Sequence, residues 1–117
     1  MWDNLDVVQH LVGGGIEEER ETIKGFLDKQ PVALVVFGAS WCGPCRALDP
    51  VLERLAKRGT PVMHIDVDEV SAELAEGIES VPTLHLYAHG KRVADMAGAV
   101  GLNALQHWIN QNTPKES

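Results

Sequence analysis

The chain has 117 residues, enough for one domain to bury a hydrophobic core without disulfide bridges or a structural metal. A net charge of −7, with 17 acidic and 10 basic residues scattered along the sequence, argues against a nucleic-acid-binding protein. No apolar stretch is long enough to span a membrane, and the acidic amino terminus is unlike a secretory signal. We therefore expect a single cytoplasmic domain over residues 1–117.

The first part of the sequence predicts a strand, a helix and a second strand. Residues 7–12 predict a short strand, although the apolar spacing from Leu5 onward also fits a helix. Three glycines at 13–15 interrupt this segment, and the acidic run at 17–19 should begin a helix that ends near Lys29. The apolar run at 32–37 is typical of a central strand that is buried on both faces.

The remaining segments predict three helices and three strands. His89 and Gly90 should form the turn of a hairpin, and Ser71 is a candidate helix cap. The elements are a helix over 42–58, a strand over 62–67, a short helix over 71–77, strands around 84–87 and over 92–97, and a helix around 102–109, before a flexible tail from about 112. This order predicts an α/β three-layer sandwich with a central mixed β-sheet flanked by helices.

Both cysteines lie in Ser-Trp-Cys-Gly-Pro-Cys-Arg at 40–46, between a predicted strand and a predicted helix. In a cytosolic protein, cysteines at this spacing are more often catalytic or metal-binding than structural. A structural zinc site needs four ligands, and the sequence offers no suitably spaced Cys or His partners, so redox chemistry without a cofactor or metal is favoured. The helix amino terminus favours a thiolate, which predicts Cys42 as the attacking sulfur and Cys45 as the resolving sulfur.

A family resemblance rests on Trp-Cys-Gly-Pro-Cys at 41–45, Pro50 in the following helix, Val-Pro-Thr at 81–83, and Gly98 after the hairpin. With these motifs the chain resembles the thioredoxin family over about residues 31–109. The resemblance implies a thioredoxin fold and a monomeric thiol–disulfide oxidoreductase. Such an enzyme reduces protein disulfides through a mixed disulfide and is recharged by thioredoxin reductase. Pro44 favours a reductase, because relatives that oxidise or isomerise disulfides usually carry histidine there.

The same resemblance implies a substrate-binding surface around Cys42. Pro82 is expected to follow a cis peptide bond and to face the cysteines, leaving the backbone of Val81 to pair with an extended substrate segment. The expected surface is flat and mostly apolar, and it consists of Trp41, Gly43, Pro44, Val81, Pro82, Gly98 and Ala99.

The sequence departs from the family pattern behind the cysteines. Val36 stands where the family usually has a buried aspartate, which is held to accept a proton from the resolving cysteine, and Gly38 replaces a usual Trp or Ser. His64 aligns with a common lysine if one residue is missing after Asp68. We expect the loss of the acid to stabilise the fold and to slow deprotonation of Cys45. His64 is either a substitute proton acceptor or a packed strand histidine.

These departures also leave a second functional class open. A thioredoxin-like domain can serve as a non-catalytic binding or assembly module, and such a role would tolerate the loss of the buried acid. Reduction of insulin with dithiothreitol as electron donor distinguishes the two classes.

Overall fold

The computed structural model describes residues 7–114. These residues contain five strands and three helices. In chain order they are β1 (Gln9–His10), α1 (Ile16–Asp28), β2 (Val32–Gly38), α2 (Gly43–Lys57), β3 (Val62–Asp66), β4 (Thr83–Ala88), β5 (Lys91–Ala97) and α3 (Leu102–Asn112).

The strands form one mixed sheet in the order β1-β3-β2-β4-β5. Strands β1, β3 and β2 run parallel to one another, whereas β4 runs antiparallel to both of its neighbours, β2 and β5. Strand β2 lies in the middle, and its residues from Ala33 to Gly38 are buried. The predicted three-layer α/β sandwich with a central buried strand is therefore confirmed.

Alternate side chains of the central strands face different helices, as the pleat of a strand requires. Helices α2 and α3 cover one face, where Leu34 and Val36 of β2 pack with Leu48, Leu52 and Leu105. Helix α1 covers the other face, where the adjacent β2 side chains Ala33, Val35 and Phe37 pack with Phe26 and Leu27. Full burial of one such Leu or Phe side chain contributes about 1.5–3 kcal/mol to folding.

The hairpin between β4 and β5 turns at His89 and Gly90, as predicted. Both residues have positive φ, at 52° and 82°. Two consecutive positive φ angles define the two-residue turn whose twist matches that of the paired strands, and glycine adopts this conformation without steric cost.

The short helix predicted over residues 71–77 is wrong. This segment is a series of turns closed by hydrogen bonds over three residues, in which Leu74 N–H donates to Ser71 O and Ile78 N–H donates to Ala75 O. A segment this short gains too few i to i+4 hydrogen bonds to offset the entropic cost of starting an α-helix. With no helix here, Ser71 has none to cap, and its backbone N–H donates to the carboxylate of Glu19.

The predictions for the two ends of the chain are only partly tested by the structure. The predicted amino-terminal strand is confirmed but shortened to β1, which pairs with β3 through Gln9 and His10. Leu5, part of the helical alternative, lies outside the described residues, as does the tail beyond residue 114. Between residues 7 and 114, no helix combines the length and the apolar character needed to cross a membrane.

Candidate active site

Cys42 and Cys45 lie where the central strand gives way to α2. Strand β2 ends at Gly38, and α2 begins at Gly43, so Cys42 is the residue that caps the helix. Pro44 suits the first turn, where a backbone N–H would have no helical partner. The two cysteines form a disulfide with their Cα atoms 5.2 Å apart, and their side chains are only 5% and 4% exposed.

The helix amino terminus supplies a hydrogen bond to the first sulfur. The backbone N–H of Cys45 donates to Sγ of Cys42 at 3.1 Å. This donor and the positive end of the helix dipole both favour negative charge on Cys42 once the disulfide is reduced. A dithiol that alternates between this thiolate and the observed disulfide can carry two electrons to a substrate disulfide.

A loop lies against the first cysteine, and the residue after β5 is hydrogen-bonded to that loop. The Val81–Pro82 peptide bond is cis, and the carbonyl oxygen of Val81 lies 3.7 Å from Sγ of Cys42. The N–H of Gly98 donates to the carbonyl of Pro82 at 2.9 Å, which ties the end of β5 to this loop. Cys42 and Val81, which are 39 positions apart in sequence, therefore meet at one site.

The residues expected to form the substrate surface differ in exposure. Trp41 is 67% exposed, and Gly43, Pro44 and Ala99 are also exposed. Val81 and Gly98 are half-buried, whereas Pro82 is buried. Val81 packs with Val67 against a small buried cluster formed by Ala39, Cys42 and Cys45.

Sequence reasoning missed Asp68 and the groove beside it. The indole Nε1–H of Trp41 donates to Oδ2 of Asp68 at 2.6 Å. A groove of about 310 Å³ adjoins them, and it is lined by Trp41, Val67, Ala75, Ile78, Glu79, Ser80 and Val81. Because parallel neighbouring strands end at the same edge of a sheet, the residues after β3 could have been placed beside the residues after β2.

The residues singled out behind the site lie on the face of the sheet that α2 covers. Val36 is 1% exposed and lies opposite the half-buried His64 in the parallel register of β2 and β3. Burial lowers the pKa of His64 from its ordinary value. Within residues 7–114, no group of three or more His, Cys, Asp or Glu side chains is arranged to hold a metal ion.

The chain is similar to thioredoxins in both sequence and structure. The thioredoxin family profile matches residues 16–111. Thioredoxin-3 of Dictyostelium discoideum is 39% identical over 82 residues, covering 68% of this chain and 78% of that protein. Thioredoxin H-type 1 of Nicotiana tabacum is 38% identical over 102 residues, covering 85% of this chain and 81% of that protein. A mutant thioredoxin from Halobacterium salinarum NRC-1 superposes with a TM-score of 0.83 at 32% identity, with both chains covered completely.

The fold, the disulfide at the start of α2 and these similarities agree. Because the family match spans most of the chain and includes both cysteines, it covers the redox centre as well as the scaffold. This chain belongs to the thioredoxin family and is a thiol–disulfide oxidoreductase of the protein-disulfide-reductase type.

Proposed function

We propose that Cys42 attacks the disulfide of a substrate protein and that Cys45 resolves the resulting mixed disulfide. In the first step the Cys42 thiolate bonds to one substrate sulfur, and the other substrate sulfur leaves as a thiolate. The Cys45 thiolate then attacks Sγ of Cys42, which breaks the mixed disulfide and releases the second substrate thiolate. The substrate gains two electrons, and the Cys42–Cys45 disulfide forms.

The hydrogen bond from Cys45 N–H to Sγ of Cys42 is the observation that carries this assignment. It stabilises negative charge on Cys42, whereas Cys45 lies inside the first turn of α2 and receives no such bond from Cys42. Cys42 also adjoins the exposed Trp41 and Gly43, from which a protein substrate can approach. Cys45 is within bonding distance of Cys42, as the resolving step requires.

A surface of seven residues is the proposed binding site for the substrate chain. The backbone of Val81 would pair with an extended substrate segment in the manner of an added β-strand, next to the attacking sulfur. The exposed indole of Trp41 would supply apolar contact area on the other side. The full set is Trp41, Gly43, Pro44, Val81, Pro82, Gly98 and Ala99.

The proposed cellular context follows from the family and from the charge of the chain. We infer that the protein acts in the cytoplasm as a single-domain monomer on disulfide-containing proteins, and that thioredoxin reductase restores its dithiol. The net charge of −7 supports protein partners rather than nucleic acid. No cofactor takes part in the exchange, because the two sulfurs carry both electrons.

Insulin reduction by the full chain, with dithiothreitol as electron donor, tests the activity and the sulfur roles. We expect Cys42→Ser to reduce turnover to the rate of dithiothreitol alone, because the remaining thiol of Cys45 is buried and out of reach of a substrate disulfide. We expect Cys45→Ser to accumulate a mixed disulfide on Cys42, detectable by mass spectrometry, when a cell extract is applied. Ser40→Ala, at an exposed neighbouring position, is the matched control and should retain full turnover.

The alternative is a thioredoxin-like binding or assembly module that does not use its cysteines. That function predicts a folded wild-type protein without insulin reduction and no disulfide-linked partner on Cys45→Ser. Either result would contradict the proposed reductase cycle, whereas a mixed disulfide found on Cys45 in Cys42→Ser alone would reverse the two sulfur roles.

A further inference from the structure

The resolving step requires a proton acceptor that the two cysteines do not provide. Cys45 is 4% exposed, so bulk water has little access to its thiol proton. Only the thiolate is a nucleophile, and burial in apolar surroundings favours the thiol. Val36, on the strand beneath α2, carries no group that can accept a proton.

His64 lies on the correct face of the sheet to serve Cys45. Along β3, Val62 packs against α2 and α3, whereas Met63 and Ile65 pack on the opposite face. Strand alternation therefore directs His64 towards α2, the helix that carries Cys45.

Gly38 allows the imidazole of His64 to approach the sulfur of Cys45. A Cβ atom built at position 38 would lie 2.8 Å from Nε2 of His64 and 3.4 Å from Sγ of Cys45. The nitrogen and the sulfur thus border the same small space, which is open because residue 38 has no side chain. Reduction must move the two cysteine sulfurs apart, and a rotation of Cys45 towards position 38 would bring its thiol to the imidazole.

The charged groups around His64 leave its ring neutral near pH 7. Burial lowers the pKa of His64, and the nearby ring of His10, with its centroid 5.4 Å away, lowers the pKa further. Asp49 of α2, Asp66 at the end of β3, and Glu69 in the following turn raise the pKa, but by less than the other two effects lower it. A neutral imidazole can accept a proton, and its low basicity allows the proton to be returned.

We propose that His64 accepts the thiol proton of Cys45 when the mixed disulfide is resolved. The electron pair left on Sγ of Cys45 forms the bond to Sγ of Cys42, and the substrate sulfur leaves with the electron pair of the broken bond. Because the ring is a weak base, Nε2 of His64 then gives this proton to the leaving substrate thiolate or to water, and the ring is neutral again in the disulfide form. This inference rests on the proposed attack by Cys42, because it concerns only the second of the two steps.

Stopped-flow reaction of the reduced protein with 5,5′-dithiobis(2-nitrobenzoic acid) separates the two steps. The first release of thionitrobenzoate reports attack by Cys42, and the second reports resolution by Cys45. For His64→Leu we expect an unchanged first phase and a second phase slower by at least about tenfold at pH 7. The second-phase rate of the variant should rise tenfold per pH unit, whereas the wild-type rate should be flatter above the pKa of His64.

Three further variants separate proton transfer from a structural role of the histidine. His85→Leu is the matched control, because His85 is also half-buried with its pKa lowered by burial but packs against Phe37; both phases should be unchanged. Gly38→Ala should slow the second phase by displacing the flexible end of His64. The second phase of His64→Gly should be slow, and free imidazole added to the solution should restore its rate.

The inference is overturned if His64→Leu folds and its second phase matches wild type in rate and pH profile. It is also overturned if free imidazole leaves the second phase of His64→Gly slow, or if Gly38→Ala resolves at the wild-type rate. Loss of the first phase in the wild-type protein is a different result, since it would contradict the proposed function itself.

Discussion

Val36 and His64 lie opposite each other on neighbouring strands beneath α2. Valine avoids the cost of burying a charge, because a site that is 1% exposed provides almost no water to solvate a carboxylate. The family pattern led us to expect this stabilising effect, and it can be measured directly.

Val36→Asp is predicted to lower the free energy of unfolding by about 3 kcal/mol at pH 7, because it buries a charge in the apolar core. Burial raises the pKa of the introduced carboxyl above its unfolded value. The destabilisation should therefore grow as pH rises through that raised pKa and shrink at lower pH, where the carboxyl is protonated. Urea unfolding of the reduced protein from pH 4 to pH 8, followed by circular dichroism, measures this change.

Val36→Asn is the control, since its amide has nearly the same size as a carboxyl and does not titrate. The loss in free energy of unfolding caused by Val36→Asn should be the same at every pH in the series. If Val36→Asp is as stable as wild type at pH 8, valine at this position does not stabilise the fold.

Replacing glycine by alanine is expected to stabilise the protein in helix α1 and to destabilise it in the turn between β4 and β5. Gly25 lies inside α1, where a Cβ would meet no atom within 4 Å. Gly90 lies in the hairpin turn with φ at 82°, a conformation that a residue with a Cβ adopts only at a steric cost. Backbone conformation, rather than available space, separates the two sites.

Gly25→Ala should stabilise the protein by about 0.5–1 kcal/mol, because alanine loses less backbone entropy than glycine when a helix forms. Gly90→Ala should destabilise it by about 1–2 kcal/mol through the positive φ. Thermal unfolding of both variants beside wild type measures the two effects. If both variants were stabilised, or both destabilised, the helix and the turn would not impose these backbone conformations in solution.

Over the whole molecule, Glu19 connects segments that are distant in sequence. This carboxylate of α1 is only 1% exposed, and it accepts hydrogen bonds from the N–H groups of Gly14 and Ser71. Ser71 follows the turn that carries Asp68, the partner of Trp41. One acid thus ties the amino-terminal part of the chain to the segment beside the active site.

Glu19→Gln is predicted to make the stability of the protein less sensitive to acid. Desolvation raises the pKa of Glu19, but the hydrogen bonds from Ser71, Gly14 and Gly15 together outweigh it, so the pKa lies below its ordinary value of 4.5. A lowered carboxyl pKa contributes stability that is present above about pH 4.5 and is lost as pH falls through the folded-state pKa. The unfolding midpoint of the variant should be lower than wild type at pH 7 and should decline less in acid.

Glu21→Gln, on the exposed face of the same helix, is the matched control and should follow the wild-type curve. Urea midpoints at half-unit steps from pH 3 to pH 7 suffice for the comparison. Parallel curves for Glu19→Gln and wild type would show that this carboxylate does not contribute to acid sensitivity.

The sequence was sufficient for features that depend on neighbouring residues. The unbroken apolar run of β2 and the positive-φ turn at His89 and Gly90 are local patterns, and both were predicted. The prediction of a helix over residues 71–77 was wrong, because local propensity does not distinguish hydrogen bonds that close over three residues from those that close over four.

Only the tertiary structure decided which distant groups meet. Asp68 was not expected to bond Trp41, because the two residues are 27 positions apart and only the parallel pairing of β2 with β3 brings them together. The sequence left His64 as either a proton acceptor or a packed histidine. The imidazole of His64 can approach Cys45 only because Gly38 has no side chain. This approach depends on how β2, β3 and α2 pack together, which cannot be deduced from the order of residues in the chain.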